Sequence, residues 1–266
     1  MPDGQKKAIP LQGFVGSDSV DALASQVLSV VASRSPHNAA KIYHDLVLQL
    51  ADGVRSMAIG RQEQALETLR AHGCTTEDIA DIYIPAAARL LGDEWCRDEV
   101  SFADVTIGTA RLQGILRDLE KEWLSAHGND QDNGLALVIV CEEEYHTLGA
   151  MVLAGQLRRN GVSVRLSIGA SRADHIALIE DTRFDLVLIS AARTENLETT
   201  RKFIENIRNV AGDRLPIVLG GPVTELTVNL KALTGADHVT NDPKEALDLC
   251  GLKTHHQGAD LTEIRS

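Results

Sequence analysis

Apolar residues recur every three or four positions through the first half of the chain, then gather into short unbroken runs in the second. Val20, Leu23, Ala24, Val27, Leu28 and Val31 have helical spacing behind Asp18 and Ser19, two capping residue types. They predict one helix in an arm (1–37) otherwise marked by Gly4, Pro10, Gly13, Gly16 and Pro36. From 38 to 125 the period stays helical. Ile42, Leu46, Val47, Leu50, Val54 and Met57 line a first helix ending at Gly60, and Ala65, Leu66 and Leu69 a second ending at Gly73. Ile79, Ile82, Ala86 and Leu90 stripe a third behind Thr75 or Thr76; Phe102, Val105, Leu112, Ile115, Leu116, Leu119 and Trp123 stripe a fourth. Four helices with short connections predict a bundle. The polar stretch 126–134 then reads as a linker. Beyond it, apolar runs at 135–141, 162–168, 185–191, 215–219 and, more weakly, 236–240 alternate with helical patterns at 147–160, 172–182, 196–211, 223–233 and 243–250. That alternation predicts an α/β domain (135–252): a doubly wound, five-stranded parallel sheet of flavodoxin-like, Rossmann-type order 2-1-3-4-5, followed by a polar tail at 253–266.

The net charge of −12, with no long basic patch, argues against tight direct binding of nucleic acid. No run approaches the length of a membrane span, and no apolar core follows the first seven residues, so a cytoplasmic protein without a signal peptide is expected. Four scattered cysteines, with no C-x-x-C pair, predict neither a zinc site nor a disulfide framework.

Candidate chemistry gathers at the end of the first strand. Glu144-Tyr145-His146-Thr147-Leu148-Gly149 joins that strand to the next helix. A loop histidine with a carboxylate two residues before it suits metal ligation, because the carboxylate can fix the tautomer and raise ligand basicity. Gly149 lets a large flat ligand approach the backbone. In a doubly wound sheet, this loop and Ser190, at the end of the third strand, share the carboxyl rim where ligands sit.

Acid-x-His-x-x-Gly resembles the signature of cobalamin-binding domains, usually Asp-x-His-x-x-Gly, with Glu144 here in place of Asp. The resemblance implies that His146 ligates cobalt from the lower face, oriented by Glu144, with Thr147 and Gly149 beside it. Ser190 matches the serine that meets the cofactor's nucleotide tail in that family, although Ser190-Ala191-Ala192 departs from its third position. Gly220-Gly221 resembles the family's Gly-Gly pair and implies a slot for the dimethylbenzimidazole arm. Read alone, Ser190 is also an ordinary cap and Gly220-Gly221-Pro222 an ordinary turn. Leu91-Gly92-Asp93-Glu94-Trp95 with Glu99 to Ala103 resembles the helical cap preceding such domains, which implies that Trp95 and Phe102 lie toward the upper face of the corrin. The lesser alternative, with only two tryptophans in the chain, is that Trp95 is simply a core aromatic.

Cobalamin photoreceptors of the MerR type carry a Glu-His pair ten and eleven residues after the tryptophan; here Val105 and Thr106 stand there. The stretches Ser101 to Gln113, His146 to Ala154 and Leu157 to Arg159 resemble the PpaA/AerR family, over roughly 40 to 250. That resemblance implies a non-enzymatic, light- and redox-responsive antirepressor that holds hydroxo- or aquocobalamin. It implies a PpsR/CrtJ-type repressor of photosynthesis genes as partner, with DNA contacted only indirectly or weakly. The alternatives are a corrinoid methyl carrier serving methyltransferases and a cobalamin-free interaction domain. With no imidazole at 105 or 106, His37 and His44 are the candidates for an upper ligand supplied by the chain.

Overall fold

The computed structural model describes residues 43–127, 133–142, 147–192 and 197–252. His44 onward forms one compact unit.

Its first part is a bundle. Helix α1 (His44–Arg55) packs on α2 (Arg61–Ala71) and on both longer rods. Leu46, Val47, Leu50, Ala51 and Val54 are buried along its inner face. It ends at Arg55, five residues before the expected Gly60, and leaves Met57 exposed. Arg111 supplies the reason: its guanidinium donates to the carbonyl oxygen of Val54 at 2.9 Å and also to that of Ser56. A cation on the last carbonyls both satisfies them and suits the negative end of the helix dipole.

The third rod begins at α3 (Thr76–Asp78), where Thr75 and Asp78 form a reciprocal capping box. It runs through a π-helical turn (Ile79–Tyr83) into α4 (Ile84–Cys96). Pro85 accounts for that turn. It has no N–H for the carbonyl of Asp81, and its ring would collide with that carbonyl in an α-helix. The chain widens instead, and the Ile84 N–H donates to Ile79, five residues back. The widening shifts the apolar stripe. Ile79, Tyr83, Ile84, Ala87 and Leu91 are buried, whereas Ile82 and Leu90, both expected inside, are half-buried.

Helix α5 (Phe102–His127) closes the bundle and runs two residues into the expected linker. Ser101 and Asp104 cap it reciprocally. Leu112, Ile115, Leu116 and Leu119 are buried along it, but Phe102 is not.

The sheet has the expected order 2-1-3-4-5, all parallel: β1 (Leu135–Val140), β2 (Ser163–Ile168), β3 (Leu186–Ser190), β4 (Ile217–Gly220) and β5 (His238–Val239). β1 and β3 are almost wholly buried, as central parallel strands covered on both faces must be. One face packs under α7 (Arg172–Asp181) and α8 (Leu197–Ala211) through Ile179, Phe203, Ile204 and Ile207. The other lies under α6 (Thr147–Arg159) and α10 (Pro243–Leu249) through Ala150, Leu157, Ala246 and Leu247. The helix expected at 223–233 is instead a 3-10 turn (Pro222–Glu225) and a five-residue helix, α9 (Leu230–Thr234). Asn229 divides them, its side chain accepting the Ala232 N–H and starting α9 afresh.

Candidate functional site

Parallel register brings the strand ends together. Val140 pairs with Ser190, and Ser190 with Gly220, so the last residues of β1, β3 and β4 form one row across the carboxyl rim. Helix α6 starts beside that row at Thr147, half-buried. Glu144 and His146 lie outside the described residues.

Gly149 stands in the first turn of α6, where a side chain would meet nothing within 4 Å. Gly220 and Gly221 differ. A Cβ on Gly221 would lie 2.5 Å from the Ala191 carbonyl oxygen, and one on Gly220 would lie 3.0 Å from that of Thr240. Gly221 also holds φ at +94°, in the region that favours glycine. Asn241 Oδ1 accepts the Gly221 N–H at 2.7 Å, and the Ala191 N–H donates to the Gly220 carbonyl at 3.0 Å. On its side-chain side, then, the pair is closed by the chain's own loops after β3 and β5. That close approach requires glycine at Gly221 and crowds any side chain at Gly220.

The bundle meets the sheet domain along α6. Gln113 Nε2 donates to Thr147 Oγ1 at 2.9 Å. Seven residues on, Glu120 accepts from Arg158, whose guanidinium also donates to the Val164 carbonyl. Arg159 donates to Asp81 on the π-helical turn. Burial pushes the Asp81 carboxyl above its ordinary range, with Arg159 pulling the other way. Both partners advance together from Gln113–Thr147 to Glu120–Arg158, so α5 and α6 run in the same sense. The first eleven residues of α5, about 16 Å of helix, therefore extend past the start of α6 on the rim side. α4 runs the other way. It leaves the Arg159 end of α6 at Asp81, carries Arg89 within electrostatic range of Glu225 behind β4, and reaches Trp95 fourteen residues on, about 21 Å away.

That geometry puts Trp95 and Phe102 side by side, ring centroids 6.0 Å apart and planes tilted by 57°. The Trp95 residue is 45% exposed and Phe102 69%, so neither is a core aromatic. Glu94, next to Trp95, is buried and bonded to Arg55 at 2.7 Å, which fixes the end of α4 against the end of α1. Val105 is half-buried. Thr106 is exposed, and its hydroxyl donates to the Phe102 carbonyl within its own helix at 2.8 Å. His44 opens α1, eleven residues (about 16 Å) from the Arg55 end that meets Glu94. It therefore lies at the opposite end of the bundle from Trp95. His37 lies outside the described residues. Gln113 and the Asp81–Arg159 pair were missed in the sequence. The one available signal was the seven-residue spacing of Thr106, Gln113 and Glu120, a single stripe on α5.

The open space at Gly149, the polar end of β3 at Ser190 and the uncovered aromatic pair fit a broad flat group lying between rim and bundle.

A family model described as a B12 binding domain matches residues 134–249. Fold, rim and match together define the class: a flavodoxin-like B12-binding domain preceded by a helical bundle. An uncharacterized 20.5 kDa protein in the bchF-crtJ intergenic region of Rhodobacter capsulatus is 36% identical over 176 residues, covering 66% of this chain and 92% of that one. The chain belongs to the PpaA/AerR family of cobalamin-binding photosynthesis-gene regulators. Among solved structures, the monomethylamine corrinoid protein of Methanosarcina barkeri superposes with a TM-score of 0.61 at 16% identity, over 77% of this chain and 96% of its own; at that identity it shows the shared fold. A cobalamin-binding protein from Desulfitobacterium hafniense scores 0.41 at 15% identity over 78% of this chain and 96% of its own. No helix among the described residues is long and apolar enough to cross a membrane.

Proposed function

We propose that the chain is a light- and redox-responsive antirepressor that binds hydroxo- or aquocobalamin and acts on a PpsR/CrtJ-type repressor of photosynthesis genes, without catalysis of its own. The observation that carries the regulatory reading is the Rhodobacter capsulatus relative, whose description places it between bchF and crtJ and whose length is almost wholly covered. In this reading His146 is the lower ligand of cobalt, oriented by Glu144, with Thr147 and Gly149 beside it. Ser190 donates or accepts at the nucleotide tail; Gly220 and Gly221 shape that part of the rim by letting the β3 and β5 loops close. Trp95, Phe102, Val105 and Thr106 cover the upper face and exclude water from part of it. Cobalamin supplies a light-sensitive bond to its upper ligand. The protein's own contribution is to hold α5 and α4 against that face so that a change there becomes a change in the bundle. The protein would act in the cytoplasm, touching DNA through its partner.

The test is repressor binding to promoter DNA, measured with hydroxocobalamin-loaded chain in the dark and in light. The reading expects the loaded chain to weaken the repressor's DNA binding, to different extents in the two conditions. An unchanged repressor would overturn it. The carrier reading is favoured by the fold shared with the Methanosarcina corrinoid protein. It gains support if the chain takes a methyl group from a methyltransferase and passes it on.

A further inference from the structure

We infer that Arg89 is a binding residue for the cofactor, its guanidinium donating to oxygen atoms on the periphery of a cobalamin that lies between α4 and the end of β4; this rests on the cobalamin reading above. The carboxylate of Glu225, in the 3-10 turn that follows Gly221, acts on Arg89 through space, so this cation of the bundle faces the carboxyl rim. Its other carboxylate neighbour is Asp93, one turn further along α4. Neither forms a hydrogen bond or ion pair with it, and the five N–H donors of the guanidinium have no acceptor among the described residues. Solvent reaches Arg89, yet burial pushes its pKa below the ordinary value against the pull of both carboxylates. A cation open to water and still partly stripped of it lines a cleft; on a convex surface it would be fully solvated.

The rest of that side of α4 suits a flat neighbour. Gly92, three residues on, is half-buried, but a Cβ there would meet nothing within 4 Å. Three residues further stands Trp95, 45% exposed. Residues three apart are neighbours on a helix surface, so a guanidinium, a gap and an uncovered indole follow one another over about 9 Å of helix. A ring system seated in the gap has the indole against it and the guanidinium at its edge. The edge of a corrin carries amide side chains, and its nucleotide tail carries a phosphate. Both offer oxygens that accept hydrogen bonds, and a planar fork of charged donors fits either. In the cofactor-free protein Arg89 is partly desolvated with no hydrogen bond to offset it; the ligand's oxygens provide that offset.

The test uses the full chain with Arg89→Met and Arg89→Lys, titrated with hydroxocobalamin and with aquocobinamide, a corrinoid that lacks the nucleotide and its phosphate. The dissociation constants and the Tm of each cofactor-free protein are read. Arg89→Met is expected to bind hydroxocobalamin about 10- to 100-fold more weakly, as for loss of hydrogen bonds from a charged donor. Arg89→Lys is expected to lose less, since it keeps the charge without the fork. The cofactor-free Tm of Arg89→Met is expected to stay level or rise slightly, because no hydrogen bond is lost there. A similar loss with aquocobinamide places the guanidinium on the ring amides; a loss confined to hydroxocobalamin places it on the phosphate. Wild-type affinity for both corrinoids in Arg89→Met would overturn the inference and leave the cobalamin reading intact. So would a cofactor-free Tm several degrees below wild type, which would make Arg89 a structural residue. If wild type takes up neither corrinoid, the cobalamin reading fails and the inference with it.

Discussion

At the residue scale, two glycines of the rim separate folding from ligand binding. A side chain at Gly149 meets open space, and alanine is about 1 kcal/mol better than glycine within a helix, so Gly149→Ala should keep or slightly raise the Tm of the cofactor-free protein. If the corrin approaches there, the same variant loses cobalamin affinity; unchanged affinity would move the cofactor away from α6. Gly221→Ala should lower the Tm, because its φ of +94° and the Ala191 carbonyl at 2.5 Å both resist a Cβ. Cobalamin loss in that variant would therefore not distinguish a filled slot from a disturbed rim. His175 is a third case. It is 1% exposed, bonded through Nε2 to Ser167 at 3.0 Å, and its Nδ1 has no hydrogen-bond partner among the described residues. Burial lowers its pKa below the ordinary 6.5, against a small opposing pull from Asp174. Above that value both folded and unfolded states are neutral. Below it the unfolded chain takes up a proton that the folded chain refuses, so stability falls as pH drops from 6.5 toward the folded value. His175→Leu should reduce the Tm difference between scans at about pH 7.5 and about pH 5.5; an unchanged difference would assign the acid limb to other groups. Acid-x-His-x-x-Gly stands out in the sequence because it is local. The orphaned nitrogen of His175 and the backbone approaching Gly221 do not, since both depend on segments distant in sequence.

At the element scale, the strands were legible to within a residue or two because buried parallel strands leave runs of apolar residues that need no partner to be recognised. The rod at 76–96 was legible as a helix but not in register, since Pro85 lies inside an otherwise regular pattern and its effect is to widen the turn before it. That turn carries Asp81, which with Glu120 anchors α6 to the bundle by an ion pair. Asp81 and Arg159 have side chains 25% and 14% exposed, so removing one partner leaves a poorly solvated charge. Arg159→Leu is expected to cost roughly 2–3 kcal/mol at neutral pH, below the figure for a fully buried pair because some solvent reaches it. The sign of the pH dependence follows from Asp81. Its folded pKa is raised by burial, and the variant removes the cation opposing that rise, so the folded state gains relative stability once the carboxyl is protonated. The deficit of Arg159→Leu against wild type should therefore shrink as pH falls through that raised value. A deficit that grows on acidification would mean that burial does not govern this carboxyl.

At the scale of the whole molecule, the change of hydrophobic period and the polar linker predicted a bundle and a sheet domain, and both lie within one compact unit from His44 onward, linked along α6 by two ion pairs and by the side-chain hydrogen bonds of Gln113 to Thr147 and of Gln156 to Asp81. Such joins are invisible in sequence because polar residues on a helix carry no mark of which will face another domain. The chain contains its own reporter of the coupling. Both tryptophans, Trp95 and Trp123, lie in the bundle, so their fluorescence follows the bundle alone, whereas the circular dichroism signal of the strands follows the sheet. If α6 couples the two halves, both signals should melt together in the cofactor-free protein. A ligand confined to one half of an uncoupled pair would shift only that half; a ligand bound by a cooperative unit stabilises it as a whole. Hydroxocobalamin at one hundred times its dissociation constant should raise both transitions together, by the equivalent of about 2.7 kcal/mol. Arg159→Leu combined with Gln113→Leu should then split them, with the tryptophan transition falling below the strand transition. A single coincident transition in that double variant would mean that packing between bundle and sheet, and not these polar links, holds the unit together; a signal arising at the upper face would then have to travel through apolar contacts.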